Sequence, residues 1–253
     1  MKKILFTLCI ILSGLTSYGQ STYWKKSNQN FSNNKIVQAE TEQYQIFELD
    51  QIALKRLLSS GKETQISMPN SQGGMEDFLV VEKESISKEL AQKYPAIKTY
   101  QGYKVSDPQS RIALTMTSSR LYLYEFSGAS EGMRMLTENT YMFYKISWNQ
   151  SMSEGISCGV PSNAQIPLPD LTSPSGNRLD LTSQTTRNKV EGVRTLRLAV
   201  VSAGEYGEIN GGTKETVLAN IISIINGINL ISEQDLGIKY QLIANNDKLI
   251  FFQ

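Results

Sequence analysis

The chain has 253 residues, 40% of them hydrophobic and 19% charged, an ordinary globular composition with enough apolar side chains for a packed core. Twenty-five Lys and Arg offset 24 Asp and Glu to a formal charge of +1, so no field of one sign exists to recruit nucleic acid or anionic lipid, and neither is expected as a partner. There is no histidine, which excludes a Ser-His-Asp triad, a Cys-His pair and a histidine-built zinc site from these residues.

The first element in chain order is a leader. Lys2 and Lys3 precede an apolar run, Ile4 to Leu15, that is short for a bilayer span, and Ser17-Tyr18-Gly19 puts small residues before an expected cut ahead of Gln20. Residues 1–19 are therefore read as a signal peptide and the mature chain as secreted, extracellular or periplasmic. No later segment is expected to be long and apolar enough to cross a membrane. Of the two cysteines, Cys9 leaves with the leader and Cys158 becomes the sole thiol. An odd cysteine in an oxidising compartment points to an intermolecular bond, a reactive thiol or a metal ligand.

From Tyr44 to Trp148 strand patterns dominate. Asp50 is a fitting N-cap for a short helix whose Leu54, Leu57 and Leu58 share a face and which Gly61 stops. "DFLVVEKE" reads as a strand, and "SISKELAQKYP" as a short helix ended by Pro95. "RIALTMTSSRLYLYEF" predicts a hairpin: Ile112, Leu114 and Met116 alternate with Ala113, Thr115 and Thr117, and Ser118-Ser119 turn the chain. Its second strand sets Leu121 and Leu123 against Tyr122, Tyr124 and Phe126, read as half-buried sheet packing. "TYMFYKISW" supplies another strand.

Composition then shifts. Four of the seven prolines lie between Pro161 and Pro174, and the chain to Val193 is rich in Ser, Thr, Asn and Asp. Residues 161–193 are read as a linker and processing region, with Arg187, Lys189 and Arg194 as targets for an activating protease. Beyond it, Leu196, Leu198 and Val200 alternate as in a strand. Val217, Ile221, Ile224, Ile228 and Ile231 follow at steps of four and three, one stripe of a helix that starts at Gly212 or Thr213. Glu215 sits in its first turn and Gly237 lies beyond its end. Ile238, Tyr240 and Leu242 mark a second strand, so the expectation is a parallel βαβ unit. "NNDKLIFFQ" is expected to begin a third strand, and the chain is read as cut short inside this second domain, since one helix cannot cover both faces of a parallel sheet.

The segment Cys158-Gly159-Val160-Pro161 concentrates the chemistry. A thiolate is a strong zinc ligand. Gly159 permits close backbone approach and Pro161 biases Val160 to extended conformations. Such a segment can lie along a cleft and place its sulfur on a metal; an incidental loop cysteine is the plain alternative. The segment is similar to the cysteine switch of matrix metalloprotease and adamalysin propeptides. "RLAVVSAGEY", the helix, and the Asn229…Asp235-Leu236-Gly237-Ile238 run resemble the opening of reprolysin-like metzincin peptidases, and "KELAQKYPAIKTYQGYKVSDP" resembles a propeptide segment of bacterial secreted members.

This resemblance implies a signal peptide (1–19), a prodomain (20–160), the linker (161–193) and the N-terminal part of a metallopeptidase catalytic domain (194–253). The implied fold class is α+β, a strand-rich prodomain followed by the opening βαβ unit of a metzincin-like domain. It further implies a secreted zinc metalloendopeptidase, a monomer acting on protein or peptide substrates. Cys158 is the one inhibitory metal-directed residue. The family's zinc-binding H-E-x-x-H-x-x-G-x-x-H is not in these residues, so no catalytic residue carries over and zinc itself would be held elsewhere. Calcium is a second expected ion at most: Glu205 and Glu208 could contribute to such a site, though solvated loop carboxylates explain them as well. "NGGT" at Asn210–Thr213 reads as a turn rather than an anion site. A non-enzymatic exported β-rich binding or inhibitor module with a degenerate peptidase-like tail is the other reading that the missing histidines leave open.

Overall fold

The structure, a computed structural model, describes residues 23–34, 37, 43–126, 131–146 and 192–252. Residues 1–19, Cys158 and nearly all of the 161–193 linker lie outside them. The described chain is a mixed α+β protein with antiparallel sheets and helices.

Runs of β-branched and aromatic residues build two antiparallel sheets. One has the order β1 (Trp24–Lys26), β2 (Tyr44–Leu49), β9 (Thr140–Lys145), β8 (Glu131–Thr137). The other is a five-stranded meander of β3 (Thr64–Pro69), β4 (Met75–Glu82), β5 (Lys98–Lys104), β6 (Asp107–Met116) and β7 (Leu121–Phe126). Their apolar residues share one core. Trp24 and Phe143 meet edge to face at 5.4 Å between ring centroids, and Ile66, Phe78, Ile112 and Leu114 join them from the meander. Helix α1 (Gln51–Leu58) adds Leu54 and Leu58, and Asp50 caps it by accepting from the Ala53 N–H. Leu57, expected on the same face, is 37% exposed, because it sits a further sixty degrees around the helix from Leu54, on the rim. Helix α2 (Lys88–Lys93) starts at its N-cap Ser87 and ends two residues before Pro95.

Burial pushes the hydroxyls of Tyr100 and Tyr141 up to about 12 from an ordinary value near 10. Both fold as neutral phenols. Because the folded state holds these protons more tightly than the unfolded chain, their stabilisation is complete below pH 10 and is lost as pH rises through 12. Base titration followed by tyrosinate absorbance and far-ultraviolet circular dichroism should show these two groups ionising together with loss of sheet signal. Ionisation near pH 10 with the fold intact would contradict this.

The second half begins with β10 (Arg194–Leu198), passes through α3 (Gly204–Ile209) and α4 (Lys214–Asp235), and returns as β11 (Ile238–Leu242). β10 and β11 pair in parallel, with Leu196 opposite Tyr240. The start of α4 is as expected: Thr213 caps it in a reciprocal capping box with Thr216. Gly237, just past its end, takes the left-handed backbone (φ +63°) that turns the chain into β11.

Three expectations fail here. The last residues form no third strand: Asn246–Leu249 is a 3₁₀ turn, and only Ile250 pairs, in an isolated parallel bridge with Ser202. The reason is Asn246, fully buried, whose amide accepts from the Val200 N–H at 2.8 Å and donates to the Val200 carbonyl at 3.2 Å. A side chain thus satisfies backbone groups that a strand would have used. Second, the expected stripe of α4 is buried only in part: Val217 and Ile221 are buried, but Ile224, Ile228 and Ile231 are exposed, and Leu218, Ile222, Ile225, Asn226 and Asn229 complete the buried face instead. Third, α4 does reach the length and mean hydropathy of a membrane span. Its packing is that of a core helix, and it carries Asn220, Asn226 and Asn229 into hydrogen bonds with the rest of the chain.

Candidate functional site

The distinctive local chemistry lies where residues 192–252 meet residues 23–146. Helix α4 lies against β5, β6 and β7. This explains the burial of both faces of β6: Ile112, Leu114 and Met116 face the inter-sheet core, while Ala113 and Thr115 on the opposite face are covered as well. Gly227 sets the approach of the helix, because a Cβ there would come within 2.9 Å of the Tyr124 ring. Tyr122 of β7 thus packs into the smaller core and Tyr124 lies against Gly227, while Tyr124 stays 41% and Phe126 56% exposed.

At the centre of this contact is Asn226, with no exposed surface. Its amide donates to the carbonyls of Leu114 (2.9 Å) and Tyr100 (3.2 Å). Its side-chain oxygen accepts from Gln101 Nε2 at 3.1 Å and from the Ser85 hydroxyl at 3.3 Å, and Gln101 also reaches the Asn226 backbone carbonyl. A buried amide costs free energy unless its donors and acceptors are met, and here they are met by the sheet and by Ser85 just beyond β4. The network therefore fixes which turn of α4 sits over which rung of the sheet. Three residues on, Asn229 performs the same office toward β11, accepting from the Tyr240 N–H at 2.7 Å and donating to the Tyr240 carbonyl at 2.8 Å.

A second contact is made by backbone. After β4 the chain leaves the meander, and Ser85-Ile86-Ser87 lies alongside β11 in parallel, with Ile86 opposite Leu242. The Leu242 N–H donates to the Ser85 carbonyl (3.2 Å), and the Ser87 N–H donates to the Leu242 carbonyl (3.0 Å). Ile86 joins Leu90, Ile97, Ile222 and Leu242 in the smaller core. Lys93 of α2 pairs with Asp247 at 3.4 Å, a partly exposed contact of small energetic weight.

On another part of α4, Ile221, Ile224 and Ile228 line an exposed apolar groove of about 400 Å³ with Leu198, Val200 and Tyr206. Glu205 and Glu208 lie on the short helix α3, and among the described residues no group of three His, Cys, Asp or Glu is placed to hold a metal ion. Gly211 and Gly212 form the turn expected of "NGGT", both with positive φ. Cys158, the one candidate metal-directed residue, is outside the described residues, so nothing in the geometry bears on it.

Sequence reasoning missed Asn226, Gln101 and Ile86. A signal for the first existed: an Asn-Gly pair in the middle of an otherwise apolar helix marks a polar group and a close approach on one turn. Nothing local marks Gln101 or Ile86, because their roles come from partners more than 100 residues away. No protein-family model matches the chain, and no significant match exists among curated proteins or solved structures.

Proposed function

We propose that this chain is the N-terminal portion of the precursor of a secreted zinc metalloendopeptidase, with residues 20–160 as a prodomain that assists folding and keeps the enzyme latent. The observation that carries this reading is the position of Cys158-Gly159-Val160-Pro161, after a strand-rich region and before a linker that leads into a strand, a 22-residue helix and a parallel strand. The exposed groove beside Ile224 and Ile228 supports it, since apolar surface of that kind suits the opening of a larger domain. The contact of α4 and β11 with residues 85–101 supports the folding role, since the first region supplies partners for polar groups of the second.

Zinc enters the proposal through one residue. When bound, the ion would supply polarisation of a scissile carbonyl and an activated water. Beyond residues 1–19 the chain offers a single thiolate toward it, that of Cys158, and the ion's other ligands are proposed to lie outside these residues; no hydrolytic step is derived from them.

A precursor carrying Cys158→Ala should show basal peptide hydrolysis roughly tenfold or more above the wild-type precursor, the ratio that about 1.4 kcal/mol of thiolate–metal preference already produces. Equal basal activity would remove the cysteine from the account. If the coding frame ends at Gln253, the absence of histidine favours the second reading, a non-enzymatic exported β-rich binding or inhibitor module with a degenerate peptidase-like tail. Reading the coding frame beyond Gln253 separates the two: H-E-x-x-H-x-x-G-x-x-H supports the peptidase, and a stop codon there supports the module.

A further inference from the structure

We propose that the outer edge of β11 is a binding site for an extended peptide, and that Ser85-Ile86-Ser87 occupies it as a built-in competitor. The segment belongs to neither antiparallel sheet. The Lys83 N–H donates to the Thr99 carbonyl as the last link to the meander, and by Ser87 the chain is already capping α2. Between these points three residues do what a bound peptide does on a sheet edge. Two main-chain hydrogen bonds join them to Leu242, and the Gln241 amide adds a third by donating to the Ile86 carbonyl at 3.2 Å. The Ile86 side chain is the anchor, buried against Leu242 and Ile222.

Main-chain pairing gives such a site affinity, and the pocket under the alternate side chain gives it selectivity. The edge therefore selects a parallel, extended peptide with one β-branched aliphatic residue between small polar neighbours. A bulky or charged residue at the anchor would enter a closed apolar core, and a proline at the following position would remove the N–H that Leu242 accepts. The function of the self-segment is occlusion: while residues 23–146 stay docked, no other strand reaches β11. This last step rests on the reading of residues 20–160 as a removable prodomain; the peptide site itself does not.

The test uses the whole chain with Ile86→Gly, which empties the anchor pocket, and a fluorescently labelled hexapeptide, Glu-Ser-Ile-Ser-Lys-Glu, titrated by anisotropy. Saturable binding is expected, at least roughly tenfold tighter than to the wild-type chain, whose edge is filled. The same peptide with Asp in place of Ile, or with an N-methyl group on the serine after Ile, should not bind. Ile86→Ala serves as a milder opening if the glycine variant does not fold. A folded variant that binds none of the peptides, or that binds the N-methylated one as well as the parent, overturns the proposal. No catalysis is measured, so that failure would leave the peptidase reading standing, and a stop codon at residue 253 would leave the peptide site standing.

Discussion

Replacing Asn226 with leucine should destabilise the chain by about 3 kcal/mol, seen as a fall of roughly 1 M in the urea midpoint. Leucine keeps the branched shape of asparagine and is larger rather than smaller, so the loss does not come from a cavity. It comes from Gln101 Nε2 and the Ser85 hydroxyl losing an acceptor inside a packed interface, and from the carbonyls of Tyr100 and Leu114 losing a donor. A buried polar group left without a partner costs about 1–3 kcal/mol, and several are stranded at once. Asn226→Asp should be at least as damaging, because it aims a carboxylate oxygen at two carbonyls. Adding Gln101→Leu to Asn226→Leu should recover part of the loss, since removing both partners of a buried pair is far milder than removing one. The neighbouring Ile224→Asn, on the exposed side of the same helix, should change stability by less than about 0.5 kcal/mol. If Asn226→Leu and Ile224→Asn unfold at similar urea concentrations, the polar network does not hold α4 in place.

The second large effect is expected at Gly102. A Cβ built there falls 1.9 Å from the carbonyl oxygen of Leu79 and 2.8 Å from the Cα of Val80, both backbone atoms of the neighbouring strand β4. No rotamer change relieves a clash with backbone, so Gly102→Ala has to part β4 from β5 in the middle of the five-stranded sheet. A loss above about 3 kcal/mol, or failure to accumulate as folded protein, is the expected result. Gly61→Ala is the control. Gly61 has a positive φ of 67° but nothing within 4 Å of the added Cβ, so only backbone strain opposes the change, on the order of 1 kcal/mol. Hydrogen exchange should show faster opening at Leu79–Glu82 in the Gly102 variant. Equal stability of the two alanine variants would mean that the sheet tolerates a side chain at Gly102.

Much of the local structure was legible because its causes are local. Asp50, Ser87 and Thr213 cap helices through hydrogen bonds that span three residues, and such short-range chemistry is written in the order of the chain. The hairpin of β6 and β7 and the strand–helix–strand order after the linker follow from side-chain periodicity in the same way. The composition by itself excluded histidine chemistry from these 253 residues, and it singled out Cys158 as the one cysteine beyond the expected leader.

What the sequence could not determine is which face of an amphipathic element turns inward. Along α4 the expected stripe is buried at Val217 and Ile221 but turns outward at Ile224, Ile228 and Ile231, where hydrophobicity alone favours the wrong side. Tertiary structure decides the choice: the sheet offers Gln101 and two carbonyls, and the segment after β4 offers Ser85, as partners to Asn226, and β11 offers Tyr240 to Asn229. In the same way, Ser85-Ile86-Ser87 was expected to open the helix of "SISKELAQKYP", but the helix starts only at Lys88, because β11, about 155 residues further along, draws these three residues into an extended pairing. Hydrophobicity is a property of each residue and can be read in isolation, whereas a buried hydrogen bond exists only when both of its ends have been brought together by the fold.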